Sequence, residues 1–267
     1  MTIDAARVRL VCLDLDGTLM DGVAGAPFDG AAAAVRAVRA SGRAVRFVTN
    51  ATSRPHRALF ESLRDAGLAD APEDVWNPVS TARSLLPARG HDRGLLLVDE
   101  ASREDWGWFT DDPAGPAVVV ATEAHDRTIA DLQPAFRRLL EGAALYTLQR
   151  NRYYRKDGAL WTDLGPLAAF LRYAADVDAV ETLGKPSAAL FDRIAADAGV
   201  PRASILMVGD DAEFDVRGSL ALEMQAALVR TGKYRPGDET RLDPAPSAVL
   251  DSITSLPAAL DLPEPSP

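Results

Sequence analysis

One short apolar run that ends in two aspartates constrains the fold of this 267-residue chain more than any other feature. Val8 to Leu15 is apolar and rich in branched residues, and Asp14, Asp16 and Gly17 stand at its end. A continuous apolar run of this length is typical of a strand that is buried on both faces, as in a parallel sheet covered by helices. The run therefore predicts a buried strand with two carboxylates at its carboxyl end.

The segments around this run alternate between helix and strand patterns. Gly30 to Ser41 and Pro55 to Ala66 are predicted helices, each followed by a glycine, and Arg46 to Thr49 is a predicted strand between them. The same alternation returns near the C-terminus, with predicted strands at Ser204 to Gly209 and at Ala226 to Thr231. This alternation predicts an α/β fold with a parallel sheet.

The middle of the chain has a different pattern and predicts a smaller α/β insert. Strands are predicted at Gly94 to Glu100 and at Ala117 to Thr122, and an amphipathic helix is predicted at His125 to Glu141. A dense basic run with two tyrosines, Arg150 to Asp157, follows this helix. It predicts a charged strand that faces water, with a role in a substrate channel or in a dimer contact as the alternatives.

The expected domain organisation follows from these two patterns. We expect a discontinuous core domain, made of residues 1–78 and 181–261, and an inserted domain over residues 79–180. Three prolines within residues 262–267 predict an unstructured tail.

Composition excludes several classes of protein. A formal net charge of −10 argues against binding to nucleic acid, and no run of about 18 apolar residues marks a membrane span. The single cysteine, Cys12, excludes a disulfide framework and a multi-cysteine zinc site within the chain. Because Met1 to Arg9 also lacks the apolar segment of a signal peptide, the expected location is the cytoplasm.

Polar residues follow four of the predicted strands, and this placement points to a common site. They are Asp14 with Asp16, Thr49 with Asn50, Lys185, and Asp210 with Asp211 and Asp215. We expect them to meet, because the carboxyl ends of parallel strands share one sheet edge, where ligands bind in open α/β folds. Carboxylates are ligands that suit Mg²⁺, and a lysine can balance the charge of a phosphoryl group. The set predicts a site for phosphoryl transfer.

Each motif also has a structural alternative, and for Asp14 and Asp16 it is an acidic turn after a strand, with Asp16 and Gly17 as turn residues. Asp211 and Asp215 can cap the helix that follows them and favour its dipole. Lys185 can be a solvated loop lysine, and Thr49 can simply close a strand. For the whole chain, the alternatives are a phosphomutase and a non-catalytic module that binds a metal or phosphate.

The order of the motifs resembles the haloacid dehalogenase superfamily of phosphatases, and the large insert resembles its class IIA cap. The motifs are Asp14-x-Asp16-Gly17-Thr18, Thr49-Asn50, Lys185 and Gly209-Asp210-Asp211-x-x-x-Asp215. Tyr153 to Gly158 and Arg230 to Tyr234 resemble the branch that holds phospholysine phosphohistidine inorganic pyrophosphate phosphatase and haloacid dehalogenase-like hydrolase domain-containing protein of type two. The resemblance implies a Rossmann-like core, an inserted α/β cap of C2a type and a homodimer formed through the cap.

The resemblance also implies a role for each motif residue. Asp14 is the expected nucleophile, which forms an aspartyl-phosphate, and Asp16 is the expected general acid and base. Mg²⁺ is expected on Asp14, on the backbone carbonyl of Asp16 and on Asp210. Contacts to the phosphoryl group are expected from Leu15, Asp16, Thr49, Asn50 and Lys185. Supporting roles are expected for Asp215 and Asp211.

The expected activity is the Mg²⁺-dependent hydrolysis of small phosphorylated molecules. Pyrophosphate and phosphoramidates, such as phospholysine and phosphohistidine, form one class of expected substrates. Sugar, glycolate and nucleotide monophosphates form the alternative class. In this superfamily a second carboxylate at the position of Asp16 implies a phosphatase or a mutase and argues against a dehalogenase.

Overall fold

A computed structural model of the chain describes residues 2–22, 25–122, 127–156 and 159–263. Parts of four sequence predictions lie outside these residues. They are the beginning of the helix expected from His125, the end of the basic run from Arg150 to Asp157, the end of the motif from Tyr153 to Gly158, and the last four residues of the expected tail.

The described residues form thirteen strands and eight α-helices. The strands are β1 (Leu10–Leu13), β2 (Ala44–Val48), β3 (Val75–Trp76), β4 (Arg93–Val98), β5 (Thr110–Asp111), β6 (Ala117–Ala121), β7 (Ala144–Thr147), β8 (Tyr153–Lys156), β9 (Ala159–Thr162), β10 (Glu181–Thr182), β11 (Ile205–Gly209), β12 (Gln225–Val229) and β13 (Ala248–Leu250). The helices are α1 (Ala31–Ala40), α2 (His56–Asp65), α3 (Pro78–Ala88), α4 (Gln133–Leu140), α5 (Leu164–Ala174), α6 (Ala188–Asp197), α7 (Gly218–Ala221) and α8 (Leu256–Ala259).

The chain divides into two compact units. The first unit comprises Met1–Thr49, His56–Trp76 and Lys185–Pro267, and the second comprises Asn50–Pro55 and Asn77–Gly184. The domain boundaries at residues 79 and 180, expected from the sequence, stay a prediction.

A six-stranded parallel sheet forms the centre of the first unit. Its strand order is β13-β12-β11-β1-β2-β3, and each neighbouring pair is parallel. The four residues of β1 are buried, and Leu13 lies opposite both Val208 of β11 and Phe47 of β2. The residues that follow these three strands therefore leave the sheet at the same edge.

Amphipathic helices of the first unit bury one face each. Helix α1 buries Ala31, Ala34, Val35 and Val38, which have the spacing of one helix face. Helix α6 packs its apolar face into a cluster with two strands of the sheet. The cluster includes Leu190, Phe191 and Ile194 of α6, Leu10 and Cys12 of β1, and Ile205 and Met207 of β11.

The second unit has a parallel sheet of its own, with the strand order β10-β7-β6-β4-β5, and a separate antiparallel hairpin of β8 and β9. Its core contains the whole of β6 and apolar residues of α3, α4 and α5. None of the helices that the structure describes is long and apolar enough to cross a bilayer.

The α/β class with parallel sheets is confirmed, and the differences are local. Helix α4 begins at Gln133, so the described part of the segment expected to be helical from His125 starts later. Helix α3 and the two-residue strands β3 and β5 are absent from the sequence prediction. Proline at position 87 interrupts the helical pattern of α3, and a two-residue strand has no periodicity to detect.

Replacing Leu10 with alanine should lower the free energy of unfolding by about 2–5 kcal/mol, because it leaves a cavity in a closely packed core. The matched control is Leu140→Ala, since the side chain of Leu140 is 60% exposed and its loss should cost about 0.5 kcal/mol or less. Urea denaturation followed by circular dichroism measures both. Equal losses would contradict the burial of Leu10.

Candidate active site

Three buried aspartates lie close together in the first unit. Asp14 follows β1 directly, Asp210 follows β11 directly, and Asp215 lies in the π-helical turn Ala212–Arg217. Carboxylate oxygens of the three residues all lie within 4.8 Å of one another. The sequence prediction that carboxylates meet at this edge is therefore met by the geometry, although the third side chain is that of Asp215 and not that of Asp16.

Lys185 joins this cluster as the first residue of the last segment of the first unit. The sequence prediction that one parallel sheet carries all four motifs is wrong here, because β10, the strand before Lys185, pairs with β7 in the sheet of the second unit. Its Nζ donates a hydrogen bond to Asp14 Oδ1 and lies 2.8 Å from Asp215 Oδ1. Burial alone would lower the pKa of Lys185, but the charges of Asp14 and Asp215 outweigh it and hold the pKa above its ordinary value. Because Lys185 is only 3% exposed, the alternative of a solvated loop lysine is wrong.

The two carboxylate oxygens of Asp210 have different surroundings. Oδ2 accepts a hydrogen bond of 2.6 Å from the backbone amide of Lys233. Oδ1 is buried and has no hydrogen-bond partner among the described residues. Burial, followed by the charges of Asp14 and Asp215, raises the pKa of Asp210 to about 8. A buried polar atom without a partner in a native fold calls for an explanation, and an ion is one of the few available.

Asp215 is also buried near Asp14, but the cation beside it is Lys185 and not Lys233. Burial raises its pKa to about 7, although Lys185 acts in the opposite direction. Its Oδ2 accepts a hydrogen bond from the backbone amide of Asp211 at 3.2 Å. Asp215 thus keeps one contact with the turn that holds it while its other oxygen lies against Lys185.

A divalent cation fits this cluster. Its candidate ligand atoms are all carboxylate oxygens, which hard cations such as Mg²⁺ prefer. Burial, with the charges of neighbouring carboxylates, raises the pKa values of Asp210 and Asp215 even though Lys185 is present. A dication beside them would favour the ionised forms. The unpartnered Oδ1 of Asp210 is the atom that most needs such an ion.

Asp16 lies in the turn after β1, outside this buried cluster. The carbonyl of Leu15 accepts three amide hydrogen bonds from residues 18–20, and Gly17 adopts a φ of +81°. Burial and then the charge of Asp14 raise the pKa of Asp16 above its ordinary value. A half-buried carboxyl group with a raised pKa holds its proton longer, as a general acid must.

Asp211 acts as a helix cap, which is the structural alternative that its sequence position suggests. Its Oδ1 accepts hydrogen bonds from the amides of Glu213 and Phe214, both at 3.0 Å. Its Oδ2 lies 3.3 Å from Lys233 Nζ. Asp211 therefore holds the turn that carries Asp215, and it is not one of the three clustered carboxylates.

Thr49 and Asn50 fall in different units. Thr49 is buried and follows β2, so it leaves the first sheet at the same edge as Leu15. Asn50 belongs to the second unit, where a Cβ on Gly184 would come within 2.5 Å of its Oδ1. Phosphate binding by Leu15, Thr49 and Asn50 stays a prediction.

Sequence reasoning assigned no role to the residues that follow β12. Thr231 donates a hydrogen bond from its hydroxyl to the carbonyl of Gly17, and the amide of Lys233 binds Asp210. The signal that could have found them is the one used for the other motifs, since polar residues and a glycine follow a predicted strand of the same sheet.

A parallel α/β core in which three buried aspartates meet a buried lysine carries groups that suit phosphoryl transfer. The chain belongs to the haloacid dehalogenase-like hydrolase family. A family model described as haloacid dehalogenase-like hydrolase matches residues 11–105, and a second, described as HAD-hydrolase-like, matches residues 182–256.

Curated relatives match the chain along nearly its whole length. It is 36% identical to haloacid dehalogenase-like hydrolase domain-containing protein 2 of Rattus norvegicus, over 96% of this chain and 97% of that protein. It is 34% identical to phospholysine phosphohistidine inorganic pyrophosphate phosphatase of Bos taurus, over 96% of this chain and 94% of that protein. The chain is a phosphohydrolase of this family.

Solved structures share the fold. The 4-nitrophenylphosphatase of Thermotoga maritima matches with a TM-score of 0.86 and 21% identity, over 96% of this chain and 98% of that one. The glycerol phosphate phosphatase of Mycobacterium tuberculosis, solved in complex with magnesium, matches with a TM-score of 0.80 and 25% identity, over 96% of this chain and 79% of that one. The core and the inserted α/β unit thus have the fold of this family.

In the metal-free protein, the free energy of unfolding should fall as the pH rises from about 4 to about 8, because Asp210 titrates differently in the folded and unfolded states. Folded Asp210 keeps its proton up to a pKa of about 8, whereas the ordinary value is 3.8. Between these values the folded state binds more protons than the unfolded chain, so stability is lost as the pH rises through the folded pKa.

Thermal melts in EDTA over this pH range test the expectation, with Asp210→Asn as the comparison. The decline should be shallower in the variant, because asparagine does not titrate, while the pKa of Asp215, about 7, leaves part of the decline in place. An equally steep decline in both proteins would contradict the raised pKa of Asp210.

Proposed function

We propose that the chain is a Mg²⁺-dependent phosphatase that hydrolyses small phosphorylated molecules through an aspartyl-phosphate on Asp14. The observation that carries the proposal is the position of Asp14. It stands directly after the buried strand β1, its Oδ1 accepts a hydrogen bond from Lys185, and it lies within 4.8 Å of two more buried carboxylates.

The carboxylates of Asp14 and Asp210 and the backbone carbonyl of Asp16 would hold Mg²⁺, which when bound balances the charge of the phosphoryl group. Lys185 holds the carboxylate of Asp14 in place, because its ammonium group is buried against that carboxylate. Its charge also offsets the charge on the oxygens of the phosphoryl group in the transition state. Thr49 and Asn50 bind these oxygens in the proposed complex, together with the amides of the turn at Leu15.

The reaction proceeds in two displacements at phosphorus. In the first, an oxygen of Asp14 attacks, the bond from phosphorus to the leaving group breaks, and Asp16 gives its proton to the leaving atom. In the second, Asp16 takes a proton from a water molecule, which attacks the aspartyl-phosphate. Inorganic phosphate leaves, and both aspartates return to their starting states. Asp215 and Asp211 support this chemistry by positioning Lys185 and the turn after β11.

The relatives support two classes of substrate. Pyrophosphate and phosphoramidates such as phospholysine and phosphohistidine are proposed first, because a relative named for them is 34% identical along 96% of this chain. Monoesters, including sugar, glycolate and nucleotide phosphates, are the second class, and structural neighbours named as 4-nitrophenyl and glycerol phosphate phosphatases favour it. We also propose that the second unit serves as a cap, that two copies pair through it, and that the protein is cytoplasmic.

Asp14→Asn should reduce phosphate release by about 1,000-fold or more, because the amide cannot form the covalent intermediate. The substrates to compare are pyrophosphate, phospholysine, phosphoglycolate, a sugar phosphate, a nucleoside monophosphate and 4-nitrophenyl phosphate, each with Mg²⁺ and with EDTA. The wild type should release phosphate only with Mg²⁺, and its preferred substrate decides between the two classes. Turnover by Asp14→Asn at the wild-type rate would refute the proposed nucleophile.

Asp16→Asn should slow hydrolysis of an alkyl phosphate by about 100-fold or more, because an alkoxide leaves poorly unless it is protonated. The loss should be smaller with 4-nitrophenyl phosphate, whose leaving group is stable without a proton. Single-turnover rates of phosphate ester cleavage for the two substrates measure the difference. Equal losses would contradict the role of Asp16 as general acid.

A further inference from the structure

We propose that Thr231, Gly232 and Lys233, which follow β12, form a positioning loop that holds the carboxylate of Asp210 in the orientation needed to bind a divalent cation. The proposal rests on the proposed function only in taking Asp210 as a Mg²⁺ ligand. The positioning loop itself supplies no ligand to the cation and no group to the substrate.

The positioning loop contacts both of the segments that carry the site. The backbone amide of Lys233 donates a hydrogen bond of 2.6 Å to Asp210 Oδ2, so this oxygen is held and the carboxylate cannot rotate freely. Oδ1 is thereby left buried and without a hydrogen-bond partner among the described residues. The hydroxyl of Thr231 donates to the carbonyl of Gly17, which ties the same loop to the turn after β1.

Two glycines make this close approach possible. Gly232 has a φ of +56°, and a Cβ built on it would lie 2.0 Å from Asp210 Oδ2 and 2.5 Å from the Cα of Gly17. A Cβ on Gly17, whose φ is +81°, would lie 2.1 Å from the same oxygen. Backbone after β1 and backbone after β12 therefore enclose one oxygen of the aspartate after β11. Any side chain at position 232 would have to displace either the carboxylate or the turn.

The backbone amide of Lys233 holds the carboxylate of Asp210. The side chain of Lys233 makes a different contact. Lys233 Nζ lies 3.3 Å from Asp211 Oδ2, and the side chain is 46% exposed. The orientation of Asp210 thus depends on a main-chain amide and on two glycines that allow the backbone to approach the carboxylate. Groups that orient a metal ligand in this way set the affinity for the metal, since their loss typically weakens binding about 10- to 100-fold.

The test compares Gly232→Ala with Gly199→Ala. Gly199 also lies in the first unit, with a φ of +64°, but a Cβ there would meet nothing within 4 Å. Alanine is strained at both positions, so both variants should melt at a lower temperature in EDTA. Only Gly232→Ala should raise the Kd for Mg²⁺, by about tenfold or more, as measured by isothermal titration calorimetry with MgCl₂ and no substrate.

A second pair of variants keeps the proposal testable if Gly232→Ala does not fold. Thr231→Val removes the hydroxyl at nearly constant shape and should raise the Kd for Mg²⁺. Thr231→Ser retains the hydroxyl and should keep the Kd of the wild type. Wild-type Kd values in both Gly232→Ala and Thr231→Val, or an equal rise in Gly199→Ala, would overturn the positioning role. If the wild type binds no Mg²⁺ in the same titration, the metal dependence in the proposed function fails and the positioning role fails with it.

Discussion

The ion pairs of Lys185 with Asp14 and Asp215 are the interaction on which the rest of the site depends. Three carboxylates within 4.8 Å of one another repel each other strongly when they are removed from water. One buried lysine reduces this repulsion, and burial together with the neighbouring carboxylates still raises the pKa values of Asp210 and Asp215. The same crowding of buried carboxylates that destabilises the metal-free core is what would favour a bound cation.

The parallel sheet makes this concentration of charge possible. β12, β11 and β1 are adjacent and parallel, so the chain leaves all three at the same edge. The apolar strands below this edge are fully buried and supply the packing that offsets the cost of burying charged groups. The same adjacency brings the loop after β12 against the turn after β1, with the carboxylate of Asp210 between them. Position along the sheet edge, more than any local motif, assembles the site.

Much of the fold could be predicted, because its signals are local. The apolar run that contains β1 and the spacing of buried residues in α1 are readable from short windows of sequence. Helix α3 is harder to predict, because Pro87 lies inside it and interrupts the helical pattern, although Asn77 and Pro78 at its start are residues that typically begin a helix. Lys185 shows the same limit at the site. A lysine between Gly184 and Pro186 reads equally well as a surface residue, and only its ion pairs in the folded chain settle its burial.

The sequence by itself determined the parallel α/β class and the order in which the carboxylates, the threonine and the lysine follow the strands. The reason is that hydrophobic periodicity and motif spacing depend only on residues that are close together in the sequence. Only the tertiary structure decided which of the aspartates after the strands join the buried cluster. Asp215 lies beside Asp14 in that cluster, whereas Asp211 caps the helical turn that follows it. It also brought Thr231 to Gly17, because contacts between residues 214 positions apart arise from strand order, which no local pattern encodes.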